Sequence, residues 1–437
     1  MFKTLLIKEI QSAIIDFRFW VVMALCLCII PLSFYVSVKN YNQQVADYQQ
    51  DVRIYKEMSA GRLYTNFNAE GVRPPSPLSI FSQGLDNKMP YKVTTSRDGQ
   101  FTVYYKKPDN KEDLLGKIDF AFIVVFVLSI LAIAFTFSTI SGDKEAGVFR
   151  AILSNAVLRR QILIAKLVGN YIVFTVPFIF SVFVALVLVY FTGSIPVFSA
   201  ELFPSILIMI GLSLLFLFAF FNLGLWISSL AKTSVLSITI LLLIWILVGL
   251  VIPKVSPIVA EAVYPVESKS IYELNKHMVR ENILNEQYQE EGKIYEEIIG
   301  RLRPELKGSV SNAWEDVNNE YDEKVVPIRE RYEKILASET EKLANDYSAR
   351  CNTQNRISKA ISSLSLINSI NNLLAEFSST GYSEVDNFME QAKIYQQHIE
   401  EIQYKKMLLK IYRSTGGWAS GGETVDGFDP QTAPVPT

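Results

Sequence analysis

Few residues of this chain have the types and spacing that catalysis requires. Serine hydrolases of the α/β type carry G-x-S-x-G, zinc peptidases carry H-E-x-x-H, and phosphate-binding loops carry G-x-x-x-x-G-K followed by Ser or Thr. None of these motifs occurs in the 437 residues. The histidines and cysteines form no C-x-x-C pair and no cluster with metal-ligand spacing, so neither a structural zinc site nor a disulfide framework is predicted.

The remaining candidates for chemistry favour a structural interpretation. Adjacent glutamates at 290–291 and 296–297 could act as general acid and base, but they lie in a strongly charged stretch typical of a solvated helix face. Cys351 and His398 could act as nucleophile and base, but each stands alone in a predicted helix. We therefore expect no enzyme activity, no metal site and no cofactor in this chain.

Hydrophobic residues make up 50% of the chain and crowd into five runs separated by charged stretches. Such segregation is typical of an integral membrane protein with water-exposed domains. Each run is long enough to cross about 30 Å of hydrocarbon as a helix, the form that satisfies the backbone of separated runs in lipid. The predicted transmembrane helices cover residues 19–38, 118–140, 167–192, 202–230 and 233–252.

Ionisable side chains are almost absent from these runs. Asp119 and Glu201 lie at run borders and not at mid-depth, where a charge would mark a path for protons or ions. If the protein transports a substrate, we therefore expect the energy to come from a separate chain. The net charge of −2 gives no reason to expect nucleic-acid binding.

Basic residues near the run ends predict the orientation. The segments 1–18 and 141–166 and the connection at Lys232 carry Lys or Arg, whereas the connection 193–201 carries none. The positive-inside rule places the first three in the cytoplasm. The two long polar stretches, including the C-terminus, are then extracytoplasmic.

The first polar stretch, residues 39–117, predicts a small α+β domain. Its beginning is compatible with a helix, and the three prolines of VRPPSP exclude a helix in its middle. Residues 91–106, YKVTTSRDGQFTVYYK, alternate around Asp98-Gly99, which predicts a β-hairpin.

The second polar stretch, residues 253–415, predicts a long helical hairpin. Apolar residues recur at three- and four-residue steps on both sides of a break near 300–308, and each apolar stripe needs a partner helix. Pro327 should bend the second arm or begin a new helix.

The last part of the chain predicts two further helices and a tail. Residues 357–377 have one apolar face and should form a helix at the membrane interface or against the bundle. A charged helix over 383–411 should begin with Ser383 as its N-cap. Residues 416–437 are expected to be unstructured.

The N-terminal residues 1–18 are amphipathic, because Phe2, Leu5, Ile10 and Ile14 follow helical spacing among charged residues. Such a helix can lie in the membrane interface and lead into a span. The alternative is a simple charged flank of a signal anchor.

The stretch SGDKEAGVFRAILSNAVLRRQILIAKLVG, Ser141 to Gly169, is a basic segment between two spans. From composition alone it could be only a positively charged cytoplasmic loop. It resembles, however, the segment that follows the second helix in ABC-2 type transporter permeases, E-x-G-T-x-x-x-L-L-S-x-P-x-x-R-x-x-x-x-x-G-K. The matching residues are Glu145, Gly147, Leu153, Ser154, Arg159 and Lys166, whereas Val148, Ala156 and Ala165 replace the usual Thr, Pro and Gly.

This resemblance, which covers about residues 1–252, implies an all-α polytopic membrane protein with large extracytoplasmic domains, located in a bacterial plasma membrane. It also implies a second permease subunit and separate ABC-type ATPase subunits, which bind the ATP. Residues 1–18 would be a cytoplasmic elbow helix, and residues 141–166 a coupling loop that docks on the ATPases. The implied ATPase-contact candidates are Glu145, Gly147, Arg150, Ser154, Arg159, Arg160 and Lys166.

Two expectations complete the sequence-based hypothesis. Permeases of this family usually have six spans, and no sixth apolar run follows Gly381; we expect a truncation before that helix, the alternative being a last span supplied differently. The uncharged spans suit an apolar or amphiphilic cargo, such as a lipid, a peptide or a hydrophobic drug. The rival hypothesis is a non-transporting membrane anchor whose helical outer domain binds a cell-envelope partner.

Overall fold

The computed structural model of the chain describes residues 2–61, 69–86, 89–95, 101–105, 118–148, 158–302 and 312–395. They form two compact units. The first comprises the chain up to Leu250 together with the part from Ser365 onward, and the second comprises Val251–Leu364.

Five of the described helices are long and apolar enough to cross a membrane, as the five apolar runs predict. These candidate spans are Phe17–Glu57, Phe120–Glu145, Arg159–Thr192, Phe203–Leu230 and Ser234–Val263. Their sequences favour helices because lipid offers no hydrogen-bond partners to backbone groups, so each segment must satisfy its own. Pro31 and Pro177 lie inside helices without ending them.

The first unit begins with two helices, α1 (Phe2–Ile15) and α2 (Phe17–Gly61), separated at Asp16. The Asp16 carboxylate accepts a hydrogen bond from the backbone N of Arg18 (3.0 Å) and so caps α2. α2 has 45 residues and continues well past Val38, the predicted end of the first span. The first span and the polar helix that follows it are therefore a single element.

The other spans of the first unit form a bundle. They are α3 (Phe120–Glu145), α4 (Arg159–Thr192), α5 (Phe203–Leu230) and α6 (Ser234–Ile246). α3 contains a π-helical stretch at Ile123–Leu128, and another, Leu247–Val251, follows α6. The buried indole of Trp245 donates a hydrogen bond to the Ser129 hydroxyl (2.9 Å), which joins α6 to α3.

Aromatic side chains fill the end of the bundle at which α3 begins. Phe34, Phe81, Phe120 and Phe178 are fully buried, and the rings of Phe34 and Phe81 meet edge to face at 4.9 Å. Phe81 belongs to the loop after a short 3₁₀ helix, Pro77–Ile80. Its ring therefore fastens a loop outside the spans to the bundle.

The second unit contains α7 (Ile252–Val263), α8 (Lys269–Leu302) and α9 (Asn312–Ser362). Tyr272 stacks on Tyr347 at 4.2 Å, while Tyr295 contacts Tyr321 at 5.6 Å. Rising numbers on one helix thus pair with falling numbers on the other, so α8 and α9 are antiparallel, as the two apolar stripes predict.

Pro327 lies inside α9, which continues through it. The prediction that a new helix begins at Pro327 is therefore wrong. Packing and ion pairs with α8 on both sides of Pro327 hold the helix together despite the lost backbone hydrogen bond.

A carboxylate cluster lies between α8 and α9. The Glu291 side chain is only 7% exposed and accepts hydrogen bonds from the Arg329 guanidinium at 3.0 and 2.9 Å, from Gln287 at 2.7 Å and from Tyr321 at 3.2 Å. The hydrogen bonds from Arg329 outweigh the effect of burial and lower the pKa of Glu291 to about 2.

The prediction of one helix over residues 357–377 is wrong, because two helices share this stretch. α9 ends at Ser362, and α10 spans Leu366–Phe377. The break occurs because the Ser365 hydroxyl accepts a hydrogen bond from the backbone N of Asn368 (3.1 Å) and caps α10. The apolar face of α10 packs against α3 and α5 of the bundle.

The last described helix, α11 (382–395), begins one residue before the predicted Ser383. The cap also differs, because the carboxylate of Glu376 accepts a hydrogen bond from the backbone N of Tyr382 (2.9 Å). α10 thus supplies the cap of α11. The part of the predicted helix beyond residue 395, and the tail 416–437, lie outside the described residues.

A three-stranded antiparallel sheet packs on α11. Its strands are β1 (Ala69–Val72), β2 (Pro90–Thr95) and β3 (Phe101–Tyr105), in the order β1-β2-β3. β2 and β3 are the strands of the hairpin predicted over 91–106, with Val93 opposite Val103. Val93 packs against Phe388 and Ala392 of α11.

A loop contact joins this region to the end of α10. Thr380 accepts a hydrogen bond from the backbone N of Leu85 (2.9 Å) and donates one through its hydroxyl to the carbonyl of Ser82 (3.0 Å). Gly84 has a positive φ of 42°, and a Cβ there would lie 2.7 Å from the Thr380 carbonyl. The close approach requires glycine at this position.

A substitution tests the packing of α3 against α5. A Cβ on Gly224 would lie 1.9 Å from the hydroxyl oxygen of the buried Thr136. Gly224→Ala should therefore destabilise the protein by about 2 kcal/mol, as overpacked sites do, and lower the midpoint of thermal unfolding in detergent. Gly211→Ala on the same helix is the control, because nothing lies within 4 Å of a Cβ there. Equal midpoints for the two variants would contradict the close approach.

The Glu291 cluster predicts a pH dependence. Because the pKa of Glu291 is lowered from 4.5 to about 2 in the folded protein, its stabilising effect is complete above pH 4.5. That effect is lost as the pH falls through about 2. Glu291→Gln should therefore flatten the acid dependence of the thermal midpoint, measured by circular dichroism on the full chain, whereas Glu297→Gln, at an exposed position, should not. A wild-type acid profile in Glu291→Gln would count against the cluster.

Candidate functional site

Three consecutive charged residues near the end of α3 make the contacts that define the candidate site: Asp143, Lys144 and Glu145. They lie in a short helical segment, Ser141–Glu145. Each side chain contacts a different element of the first unit. We call this set the α3 junction.

Asp143 shares a lysine with the N-terminal helix. The ammonium of Lys166, on α4, lies 3.0 Å from the Asp143 carboxylate and 3.3 Å from that of Glu9 on α1. The Lys166 side chain is 8% exposed, and those of Glu9 and Asp143 are 19% and 29% exposed. A buried ammonium needs such partners because it loses its hydration, so this group ties α1, α3 and α4 together.

Lys144 binds the end of α5. Its ammonium donates hydrogen bonds to the carbonyls of Ser229 and Ala231, the latter at 3.1 Å. These carbonyls belong to the C-terminal end of α5 and the residue after it, where helix carbonyls lack partners and a cation is favoured by the helix dipole.

Glu145 binds the beginning of α6. Its carboxylate accepts hydrogen bonds from the backbone N of Ser234 (3.1 Å) and from the Ser234 hydroxyl (2.6 Å). An anion is favoured at a helix N-terminus for the reason that a cation is favoured at its C-terminus. Neighbouring side chains of opposite charge therefore cap the C-terminus of α5 and the N-terminus of α6, which meet at the turn of the α5–α6 hairpin.

A buried serine adds to these contacts. The hydroxyl of Ser228, on α5, accepts hydrogen bonds from the backbone N of Ile140 and of Ser141, both at 3.1 Å. It satisfies two donors in the turn that precedes the segment Ser141–Glu145.

α1 lies directly against the first turns of α4. A Cβ on Gly169 would be 3.1 Å from the Cβ of Glu9, so the absence of a side chain there allows the close approach. On its other sides α1 exposes the apolar residues Ile7, Ile14 and Ile15. The helix is amphipathic, as predicted, and is attached to the bundle through Glu9.

The structure separates the sequence-predicted contact residues into two sets. Gly147, with a positive φ of 69°, and Arg159 and Arg160, at the first turn of α4, are exposed. Glu145 and Lys166 are engaged in contacts within the chain. Arg150 and Ser154 lie outside the described residues, and their role stays a prediction.

The described residues include no group of three His, Cys, Asp or Glu side chains arranged to hold a metal. The junction is a structural connection between helices. What it does is fix the relative positions of α1, α3, α4, α5 and α6 through charged side chains. A force applied near Gly147 or Arg159 would therefore reach all of these helices.

Sequence reasoning predicted no contact between elements for Glu9, Asp143 or Lys144. Glu9 and Lys166 are 157 residues apart in the chain, and no local periodicity relates them. The available signal was their position: carboxylates and basic residues next to long apolar runs must find partners or water.

Breaking the lysine contact tests the junction. Lys166→Met leaves two carboxylates facing each other without a cation and should destabilise the protein by about 3 kcal/mol, seen as a lower midpoint of thermal unfolding in detergent. Lys8→Met removes an exposed cation from α1 and should change the midpoint little. Adding Glu9→Gln and Asp143→Asn to Lys166→Met should restore part of the loss. If the triple variant is no more stable than Lys166→Met, the ion cluster is not the cause.

Comparison with known families agrees with this architecture. A model of the ABC-2 family transporter protein matches residues 3–390. The match extends beyond residues 1–252, to which the resemblance was assigned, and includes the helices of the second unit. No curated protein matches the chain. With five candidate spans and a family match over most of its 437 residues, the chain is an integral membrane protein that belongs to the ABC-2 family of transporter proteins.

Proposed function

We propose that this chain is the membrane-spanning permease subunit of an ATP-binding cassette transporter, and that a separate ATPase subunit hydrolyses ATP for it. Membership of the family implies an ABC-type ATPase partner in general. The observation that carries the proposal is the α3 junction, in which Asp143, Lys144 and Glu145 connect one short segment to α1, α4, α5 and α6.

The ATPase docks, in this proposal, on the exposed residues beside the junction. Gly147, Arg159 and Arg160 supply this surface, and Arg150 and Ser154 are expected to extend it. The two arginines offer planar cations that suit acidic side chains of a partner. Glu145 and Lys166 then act as positioning residues, because their side chains are engaged within the permease.

The orientation follows from the basic residues. Lys3, Lys8 and Arg18 lie on or next to α1, and Arg159 and Arg160 begin α4, so we assign this end of the bundle to the cytoplasm of a bacterium and the spans to its plasma membrane. The sheet with α11 and the helical unit Val251–Leu364 are then extracytoplasmic. α1, which covers Phe2–Ile15 of the predicted 1–18, acts as the elbow helix in the membrane interface.

Transport then follows from coupling between ATPase and bundle. Two permease subunits, identical or different, assemble with two ATPases, and ATP-driven closure of the ATPases displaces both junctions. The helices shift between two arrangements because nucleotide binding favours one of them.

The cargo that suits this bundle is apolar or amphiphilic. The buried hydroxyls of Ser129, Ser181 and Ser213 donate to carbonyls of their own helices, at 2.5, 2.7 and 2.8 Å. These three hydroxyls therefore offer little to a polar solute, whereas those of Ser33, Ser37 and Ser237 are buried without a hydrogen-bond partner among the described residues. The described spans hold no buried charge at mid-depth that could bind an ion.

The second candidate function is a membrane anchor without transport. It is favoured by one observation, the separate compact unit Val251–Leu364 with its long antiparallel pair α8 and α9, which could bind a cell-envelope partner. The two candidates differ in whether an ATPase binds at the α3 junction.

Charge reversal tests the docking surface. In Arg159→Glu/Arg160→Glu, two cations become anions, so an affinity-tagged permease should lose the ATPase in co-purification, by at least tenfold for two reversed contacts. Membrane insertion and the thermal midpoint should be unchanged, because both side chains are exposed. The matched control is Lys276→Glu/Arg280→Glu, at exposed positions on α8.

The ATPase for this experiment is the one encoded beside the permease gene, identified by a Walker A motif. Retention of the ATPase by the arginine variant contradicts the docking surface. If wild-type protein captures no ATPase, and no neighbouring gene encodes one, the anchor function is favoured. Reconstitution of both subunits, with hydrolysis stimulated by an amphiphilic compound, would support transport.

A further inference from the structure

An apolar crevice between α2 and α3 carries a cation at one edge. The crevice has a volume of about 120 Å³. Its walls are Phe17, Arg18, Val21 and Val22 of α2 and Leu131, Ala134 and Phe135 of α3. It opens to the surface of the bundle, since Phe17 is 78% exposed and Leu131 and Ala134 are partly exposed.

The guanidinium of Arg18 is held in place by α3 with donors left over. One terminal nitrogen, Nη1, donates to the Ser138 hydroxyl (2.8 Å), and the group lies over the ring of Phe137 at 4.9 Å. The Nε lies 3.8 Å from the Asp16 carboxylate, which is beyond hydrogen-bond distance. Within the described part of the chain Nη2 has no hydrogen-bond partner, and the Arg18 side chain is 37% exposed.

The crevice has the depth of an acyl-chain segment. Arg18 is near the beginning of α2, and the apolar lining continues to Val22, four residues or about 6 Å further along the helix. On α3 it extends from Phe135 to Leu131, again four residues or about 6 Å. One leaflet of hydrocarbon is about 15 Å thick, so walls of this length match the first part of an acyl chain.

We propose that this crevice binds one anionic phospholipid of the cytoplasmic leaflet. Its phosphate is bound by the free donors of Arg18, and the upper part of an acyl chain lies between α2 and α3. The assignment rests on the proposed cytoplasmic location of this end of the bundle. A guanidinium matches the geometry of phosphate oxygens, and basic pockets between transmembrane helices on the cytoplasmic side bind anionic headgroups.

The chemistry favours a lipid over other occupants. A free phosphate ion would use the guanidinium but leave the apolar walls in contact with water. A helix of a second copy would cover the walls but leave the guanidinium with Asp16, at 3.8 Å, as its ion-pair partner. A lipid with an anionic headgroup satisfies both parts of the crevice.

The site also connects two functional elements. Arg18 follows the α1–α2 break at Asp16, and Ser138 lies in the turn, residues 137–140, that leads to the α3 junction. A lipid bound here would hold α2 and α3 together next to the surface assigned to the ATPase.

Native mass spectrometry of the purified full chain in detergent tests the proposal without the ATPase. The probes are palmitoyl-oleoyl phosphatidylglycerol and the phosphatidylcholine with the same chains. Wild-type protein should bind one phosphatidylglycerol in preference to phosphatidylcholine. Arg18→Gln should reduce that preference about fivefold, as the loss of one cation near an anionic surface predicts. Lys8→Gln, which removes an exposed cation of α1, should leave it unchanged.

Two further variants separate the charge from the crevice. Asp16→Asn removes the nearby negative charge but keeps an N-cap for α2, so it should increase the preference for phosphatidylglycerol. Ala134→Leu fills the crevice and should abolish the bound lipid of either kind. Ile130→Phe adds bulk to an exposed position of α3 outside the lining and should abolish neither.

The following results would overturn the proposal. Equal binding of the two lipids by wild-type protein, or an unchanged preference in both Arg18→Gln and Asp16→Asn, excludes recognition by Arg18. Displacement of the lipid by excess inorganic phosphate identifies a simple anion site. If Ala134→Leu alters the ratio of monomer to dimer and leaves the lipid count unchanged, the crevice is an interface between copies. None of these results affects the test of ATPase docking, so the two proposals fail separately.

Discussion

The ammonium of Lys166 is the charge on which the organisation of the bundle depends. It is buried where three helices meet, and it is stable there because Glu9 and Asp143 approach it from two of them. Apolar packing alone is weakly directional, since lipid-facing and core-facing side chains are chemically alike in a membrane protein. A buried cation with two carboxylates is directional, so it determines where α1 crosses α4 and where α3 ends.

The two ends of the bundle are built in different ways. At the end with Lys166, ionic contacts converge on one short segment, and the exposed surface beside it is basic. At the other end, aromatic rings and backbone contacts fasten the outer loops, with Phe81 among the phenylalanines and Thr380 against Ser82 and Leu85. An ion pair is weakened when another charged group competes for one of its members. Aromatic packing and backbone hydrogen bonds are much less sensitive to nearby charge. The two ends therefore differ in how strongly their contacts depend on charge.

The features that the sequence predicted are those with a local physical cause. Five spans were predictable because a long apolar run in lipid must be a helix, and the β2–β3 hairpin because Asp98-Gly99 interrupts an alternating pattern. The continuity of α2 was not predicted, because the sequence changes from apolar to polar near Lys39. The helix nevertheless continues through that change. The division at Ser365 and the cap from Glu376 depend on single hydrogen bonds between elements. The partners of Lys166, Lys144 and Arg18 come from distant parts of the chain and have no local signature.

The length of α2 amplifies any change of bend at Pro31. From Pro31, where the helix lacks one backbone hydrogen bond, to its end at Gly61 is about 45 Å at 1.5 Å per residue. A change of bend of about 10° at the proline would carry the far end of that rod through about 8 Å, given the same helix rise. A small change of angle at Pro31 would thus become a displacement of several ångströms at the far end of the helix. In this geometry α2 acts as a rigid arm, because its length converts a local bend into a larger movement of the segment attached to its end.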